Sequence, residues 1–157
     1  MKLTILGSFS AYPSFKGFTT SQVLEHNGKS FLIDCGEGTQ LQLRKNKIKF
    51  NSIEDIFISH LHGDHYFGLP GLILTFNLLG REKPLNIFGP KGIDEFLAAN
   101  IKILNFSLPF SILITIVNEG TIYENNKFLI HAAKANHSIT AFSYLSRYLF
   151  NFFSKSA

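Results

Sequence analysis

The chain has 157 residues, 45% hydrophobic and 17% charged, enough for one domain with a core, too few for two sizeable ones, and far from the charge-rich profile of disorder. A net charge of +4 suits an anionic partner without requiring one. The single cysteine, Cys35, excludes an intrachain disulfide and a Cys-only zinc site and fits a reducing compartment.

The apolar stretch after Lys2 is too short for the apolar region of a signal peptide, and no run of sequence approaches a membrane span. A cytoplasmic protein without membrane contact is the expectation. The 17 Phe residues imply more apolar surface than a small domain easily hides.

In chain order, a strand is predicted over residues 3–6, then a hairpin of Ser21–His26 and Lys29–Ile33 turning at Asn27-Gly28. A short helix over 37–45 follows, with Glu37 in its first turn and Arg44 and Lys45 in its last, as the helix dipole prefers. Residues 53–59 form an apolar strand that runs straight into the sequence HLHGDH. Beyond it, 66–79 has helical spacing up to Gly80. A strand over 85–88 is stopped by Gly89-Pro90, a helix begins over 92–99, and further strands are expected over 112–117 and 128–132. There is no internal repeat and no linker that would mark a domain boundary.

HLHGDH places His60, His62, Asp64 and His65 within six residues. Neutral imidazole and carboxylate are good ligands for zinc and related ions, and a catalytic site needs several of them converging while one position stays open. In an extended loop His60 and His62 project to one side, and a turn at Gly63 brings Asp64 and His65 toward a second, adjacent ion. His137 follows the strand expected over 128–132. Taken alone, it reads as an ordinary loop histidine.

The runs LGSFSAYPS, FLIDCGEGTQLQL, FISHLHGDHYFGLPGL, IFGPKG and NHSITAFSY resemble those of ribonuclease Z, the tRNA 3′-processing endonuclease family of the metallo-β-lactamase superfamily. HLHGDH alone marks the superfamily, whereas DCGEGTQ with GLPGL and the GPKG turn points to the narrower family. The resemblance implies an α/β fold, the N-terminal half of a metallo-β-lactamase αβ/βα sandwich, with zinc at the edge between two sheets.

It also implies roles. His60, His62 and His137 match ligands of a first zinc ion, and Asp64 and His65 match ligands of a second, with Asp64 also placed to orient the attacking hydroxide. Asp34 is expected to orient ligands from behind, and Lys16, in the loop YPSFKGFTTSQ, to meet the tRNA precursor near its 3′ end. The basic run Arg44, Lys45, Lys47 and Lys49 either contacts RNA phosphates or is a helix terminus followed by a solvated loop.

The likeness extends over residues 1–144, read as a partial metallo-β-lactamase-like domain. Residues 145–157 read as a divergent tail, neither clean strand nor capped helix, left by truncation or frameshift. No Asp follows Asp94 and no His follows His137, so the family's bridging Asp, last ligand His and leaving-group His have no counterpart. An impaired fragment is therefore expected, which holds about one zinc ion at most and lacks the tRNA-gripping arm. The second sheet is expected to be missing too, leaving an apolar face bare and favouring self-association where the family forms homodimers. The alternatives are another hydrolase of the superfamily, acting on a phosphodiester or an aryl sulfate, and a non-enzymatic remnant that pairs with a separate second half.

Overall fold

A computed structural model describes residues 1–10, 12–104, 107–125 and 128–148. The hairpin expected from Asn27-Gly28 forms as β2 (Ser21–His26) and β3 (Lys29–Ile33), with β1 (Lys2–Gly7) paired antiparallel to β2. From β3 onward the sheet is parallel: β4 (Ile53–Phe57), β5 (Leu85–Gly89) and β6 (Ile112–Ile116) add in sequence order to give six strands. Each parallel step needs a crossover. These are supplied by α1 (Thr39–Lys45), by α2 (Gly63–Tyr66) with α3 (Leu69–Leu78), and by α4 (Ile93–Leu104).

Side-chain alternation sorts the strands between two cores. Leu32, Ile56, Ile58 and Ile87 point to the helices and pack with Leu43, Leu72, Phe76 and Leu97. Phe31, Phe57 and Phe88 point the other way, where a second sheet covers them. That sheet consists of β7 (Gly120–Asn125), β8 (Phe128–Lys134) and β9 (Phe142–Tyr148), paired antiparallel in that order.

This corrects the expectation of a missing second sheet. Three strands of it are present, and Phe128, Ile130, Ala132 and Phe142 close over the phenylalanine face of the first sheet. Phe31 and Phe128 lie 5.3 Å apart by ring centroid, and Phe57 stacks on Phe88 at 4.7 Å. Much of the Phe surplus is therefore interior packing, at roughly 1.5–3 kcal/mol for each fully buried ring. The face remains open at one end. A cleft of about 400 Å³ lies between β1–β2 and β9, lined by Met1, Leu3, Leu24, Phe142, Ser143 and Ser146, among others.

Two further differences have local causes. The helix expected over 66–79 is interrupted: α2 is a single turn, and α3 begins after Gly68 with Pro70 in its first turn, where a missing N–H costs nothing. Gly68 sits where a Cβ would meet the carbonyls of Cys35 and Gly36, and Gly36 in turn lies against Thr19 and the Asp64 carbonyl. Only glycines allow those backbones to pass so closely.

Residues 145–148 are the last four of β9 and pair with β8, as in His131 opposite Leu145 and Leu129 opposite Arg147. The start of the expected tail is thus a strand. Its remainder, including Leu149, Phe150, Phe152 and Phe153, lies outside the described residues.

Candidate metal centre

The carboxyl ends of β3 and β4 lie side by side in the parallel part of the sheet, the usual place for a site in such sheets. Asp34 leaves β3 with φ 57°, a left-handed conformation that Asp tolerates better than most residues. Its N–H donates to the Phe57 carbonyl at 2.8 Å. Its buried carboxylate thereby turns toward the end of β4, where Oδ1 accepts from the Ser59 N–H at 2.7 Å and Oδ2 from the Ser59 hydroxyl at 2.9 Å. His65 Nδ1 also meets Oδ2, at 2.8 Å.

The residues after Ser59 carry the donors. His60 is buried, while His62 and His137 are exposed, and one nitrogen of each lies within 4.8 Å of the others. The ring centroids are 4.5 Å apart for His60–His137 and 4.9 Å for both His60–His62 and His62–His137. His65 stands 3.9 Å from His60 by centroid, with Nε2 3.7 Å from Asp64 Oδ2. These five side chains line one open cleft of about 770 Å³, shared with Ser10, Glu37, Gly63 and Phe67.

Local structure explains the convergence. α2 begins at Gly63, and its first turn, closed by His65 N–H on the His62 carbonyl at 2.9 Å, swings Asp64 and His65 back toward His60. The His65 carbonyl is fixed by the Cys35 N–H at 2.7 Å, which ties α2 to the loop after β3. His137 arrives from the loop between β8 and β9, whose base is closed by Ala135 N–H on the Ala141 carbonyl at 2.9 Å. The next strand braces β4: the Phe142 N–H donates to the Ser59 carbonyl at 2.9 Å, and the Tyr144 hydroxyl to that of Ile58 at 2.7 Å. The run NHSITAFSY thus both delivers a donor and holds the strand that carries two others.

Electrostatics prepare the two inner histidines differently. Burial, followed by the neighbouring His65 and His137, pushes the His60 imidazole down to about 4. At neutral pH it is therefore uncharged, the form that binds a metal. Burial pulls His65 down as well, but its hydrogen bond to Asp34 and the charges of Asp34 and Asp64 outweigh this and leave it above the ordinary value. Burial also raises the Tyr144 phenol, which stays a hydrogen-bond donor.

All of His60, His62, Asp64, His65 and His137 meet at this cleft, with Asp34 directly behind. Lys16 does not line it. That side chain is exposed, in a separate groove of about 370 Å³ with Phe9, Phe15, Gln42 and Lys45. Arg44 and Lys45 occupy the last turn of α1, as expected. Sequence reasoning overlooked Ser59, which touches Asp34, His60 and His65. Its position, just past a strand and one residue before the first histidine of the run, was the available signal.

Three imidazoles within ligand distance of one another, beside an Asp–His pair at the edge between two β-sheets of a metallo-β-lactamase fold, make a donor set that fits a divalent ion of the zinc kind. The fold of the metallo-β-lactamase fold protein YhfI from Bacillus subtilis matches with TM-score 0.73 at 19% identity, over 92% of this chain and 57% of that one. The chain belongs to the family whose model is described as Anti-Pycsar protein Apyc1, which matches residues 1–144.

The resemblance read from the motifs holds among curated relatives named Ribonuclease Z. The one from Nitrosopumilus maritimus is 47% identical over 145 residues, 92% of this chain and 48% of the relative. The one from Bacteroides fragilis is 42% identical over 147 residues, with the same coverage. Human tRNase Z, short form, superposes with TM-score 0.85 at 32% identity, over 94% of this chain and 65% of that one. The chain spans about half the length of the curated relatives it matches. No helix among the described residues is long and apolar enough to cross a membrane.

Proposed function

We propose that this chain carries the metal-binding side of a zinc-dependent endoribonuclease centre that removes 3′ extensions from tRNA precursors. The observation that carries the reading is the convergence of His60, His62 and His137 beside Asp64 and His65, in a chain whose relatives are named Ribonuclease Z. When bound, the metal supplies Lewis acidity toward a phosphoryl oxygen and makes water a competent nucleophile near neutral pH.

The chain's own residues do the rest. His60, His62 and His137 hold the ion, with His60 neutral at working pH. Asp64 accepts a hydrogen bond from the attacking water and aims it in line with the scissile phosphodiester. Asp34 keeps the His65 ring turned toward the cleft. Lys16 and Lys45, along the neighbouring groove, offer charge to the RNA backbone. Among the described residues Asp64 and His65 give a second ion two donors, against the roughly four that zinc prefers, so this chain by itself holds about one ion well.

By motif likeness the metallo-β-lactamase-like unit comprises residues 1–144, and 145–148 complete its strand β9. The single cysteine, Cys35, suits a reducing compartment such as the cytosol. Exposed Met1, Leu3 and Ile5 along β1 favour self-association.

A single-turnover assay with zinc, a 3′-extended tRNA and a small aryl phosphodiester tests the reading. Expected is cleavage that leaves a 3′-hydroxyl, orders of magnitude slower than by the Nitrosopumilus relative, and lost in His62→Ala. Equal rates, or cleavage that survives His62→Ala, contradict it. Turnover of the small diester alone would favour the alternative of a different phosphodiesterase.

A further inference from the structure

Ser59 is the last residue before the histidine run, and its hydroxyl has three polar neighbours. Asp34 Oδ2 lies at 2.9 Å, His60 Nδ1 at 3.0 Å and His65 Nδ1 at 3.2 Å. A hydroxyl has one proton to give, and a carboxylate can only accept. The Ser59 proton therefore goes to Asp34, and the oxygen is left with lone pairs alone for the histidines.

His60 can satisfy Nδ1 against that oxygen only by donating, so its ring carries the proton on Nδ1 and leaves Nε2 bare. His65 reaches the same state by donating Nδ1–H to Asp34 Oδ2 at 2.8 Å, with Ser59 as a longer, secondary acceptor. Asp34 touches His65 but gives His60 no hydrogen bond of its own among those described. Ser59 carries its influence across.

We infer that Ser59 is a positioning residue that fixes the His60 tautomer, holding the Nδ1 proton so that Nε2 faces the cleft as a ready metal ligand. The inference deepens the proposed function and rests on its metal site. Its backbone supports the geometry from both sides: the Ser59 N–H is held by Asp34 Oδ1 at 2.7 Å, and the carbonyl by the Phe142 N–H at 2.9 Å. The hydroxyl is therefore aimed by β3 and β9 and does not wander as a surface serine would.

The test uses the metal-free chain labelled with nitrogen-15, long-range proton–nitrogen spectra of the histidine rings, and zinc titration against a chromophoric chelator. In the unmodified chain His60 is expected as the Nδ1–H tautomer. Ser59→Ala should shift it to a mixture with the Nε2–H form and weaken zinc by about 10–100-fold, the usual effect of losing a group behind a ligand. Ser59→Thr, which keeps the hydroxyl, should restore both to within a few-fold.

Circular dichroism confirms that the variants remain folded, and Thr serves as reference if Ala does not. An Nε2–H ring in the unmodified chain, or a Ser59→Ala chain with unchanged tautomer and affinity, overturns the inference. A chain with the assigned tautomer, altered in Ser59→Ala, that binds no zinc would uphold the role of Ser59 while refuting the metal site.

Discussion

Asp34 Oδ2 and His65 Nδ1 stand 2.8 Å apart, joining the loop after β3 to the helical turn that carries the Asp–His pair, across 31 residues of sequence. Asp34→Ala should release the His65 ring and leave the Ser59 N–H without its acceptor. Zinc affinity is expected to fall by about 10–100-fold. Combined with Ser59→Ala, the loss should be less than additive, because both changes break one network. A double-mutant cycle in a competition titration checks this; strictly additive losses would mean that the two residues act separately.

The two inner histidines should titrate in opposite senses. His60, held down to about 4 in the fold and near 6.5 when unfolded, binds its proton more readily in the unfolded chain. Its contribution therefore makes stability rise with pH between those values and lowers it as pH falls toward 4. His65, held above its ordinary value, contributes stability that is complete below the unfolded value and lost as pH rises through the folded one. Proton titration of the metal-free chain by NMR should find His60 neutral at pH 5 and His65 still partly protonated above pH 6.5.

Cys35 is fully buried beneath the site loop, and burial pushes its thiol up to about 12. The thiolate is the reactive form, so the native chain should resist a disulfide reagent at pH 8. Modification should instead follow the unfolding rate and become immediate in denaturant. Rapid stoichiometric labelling under native conditions would contradict the packing of α1 and α2 around this residue.

Phe128 anchors the second sheet, buried against Phe31 and stacked on His26 at 5.5 Å. Phe128→Ala is expected to cost about 3–5 kcal/mol, as for a large ring removed from a core. Denaturant unfolding measures it. A loss under 1 kcal/mol would mean that the three-stranded sheet does not pack as described.

The histidine run could be read from the sequence because its chemistry is local: His60, His62, Asp64 and His65 share one strand end and one helical turn. His137 could be placed only through the resemblance of its motif, since its partners lie more than 70 residues away in sequence. β7 and β9 went unread. The segment GTIYEN (β7) offers little apolar alternation, and FSYLSRY (β9) mixes polar and apolar residues without a clean period. With the second sheet expected to be missing, the Phe residues of β3, β4 and β5 had nothing to pack against. Ser59 was passed over for a similar reason. A serine is unremarkable until Asp34, 25 residues earlier, is seen to aim it.

The proposed function requires that His60, His62 and His137 together hold a metal ion. Loading the purified chain with zinc, dialysing it exhaustively and measuring metal by mass spectrometry tests this most directly. About one ion per chain should remain, as three imidazoles and an open position allow, and His137→Ala should bring it to background. Retention of the ion in His137→Ala, or no retention in the unmodified chain, would mean that these three histidines do not form the metal site.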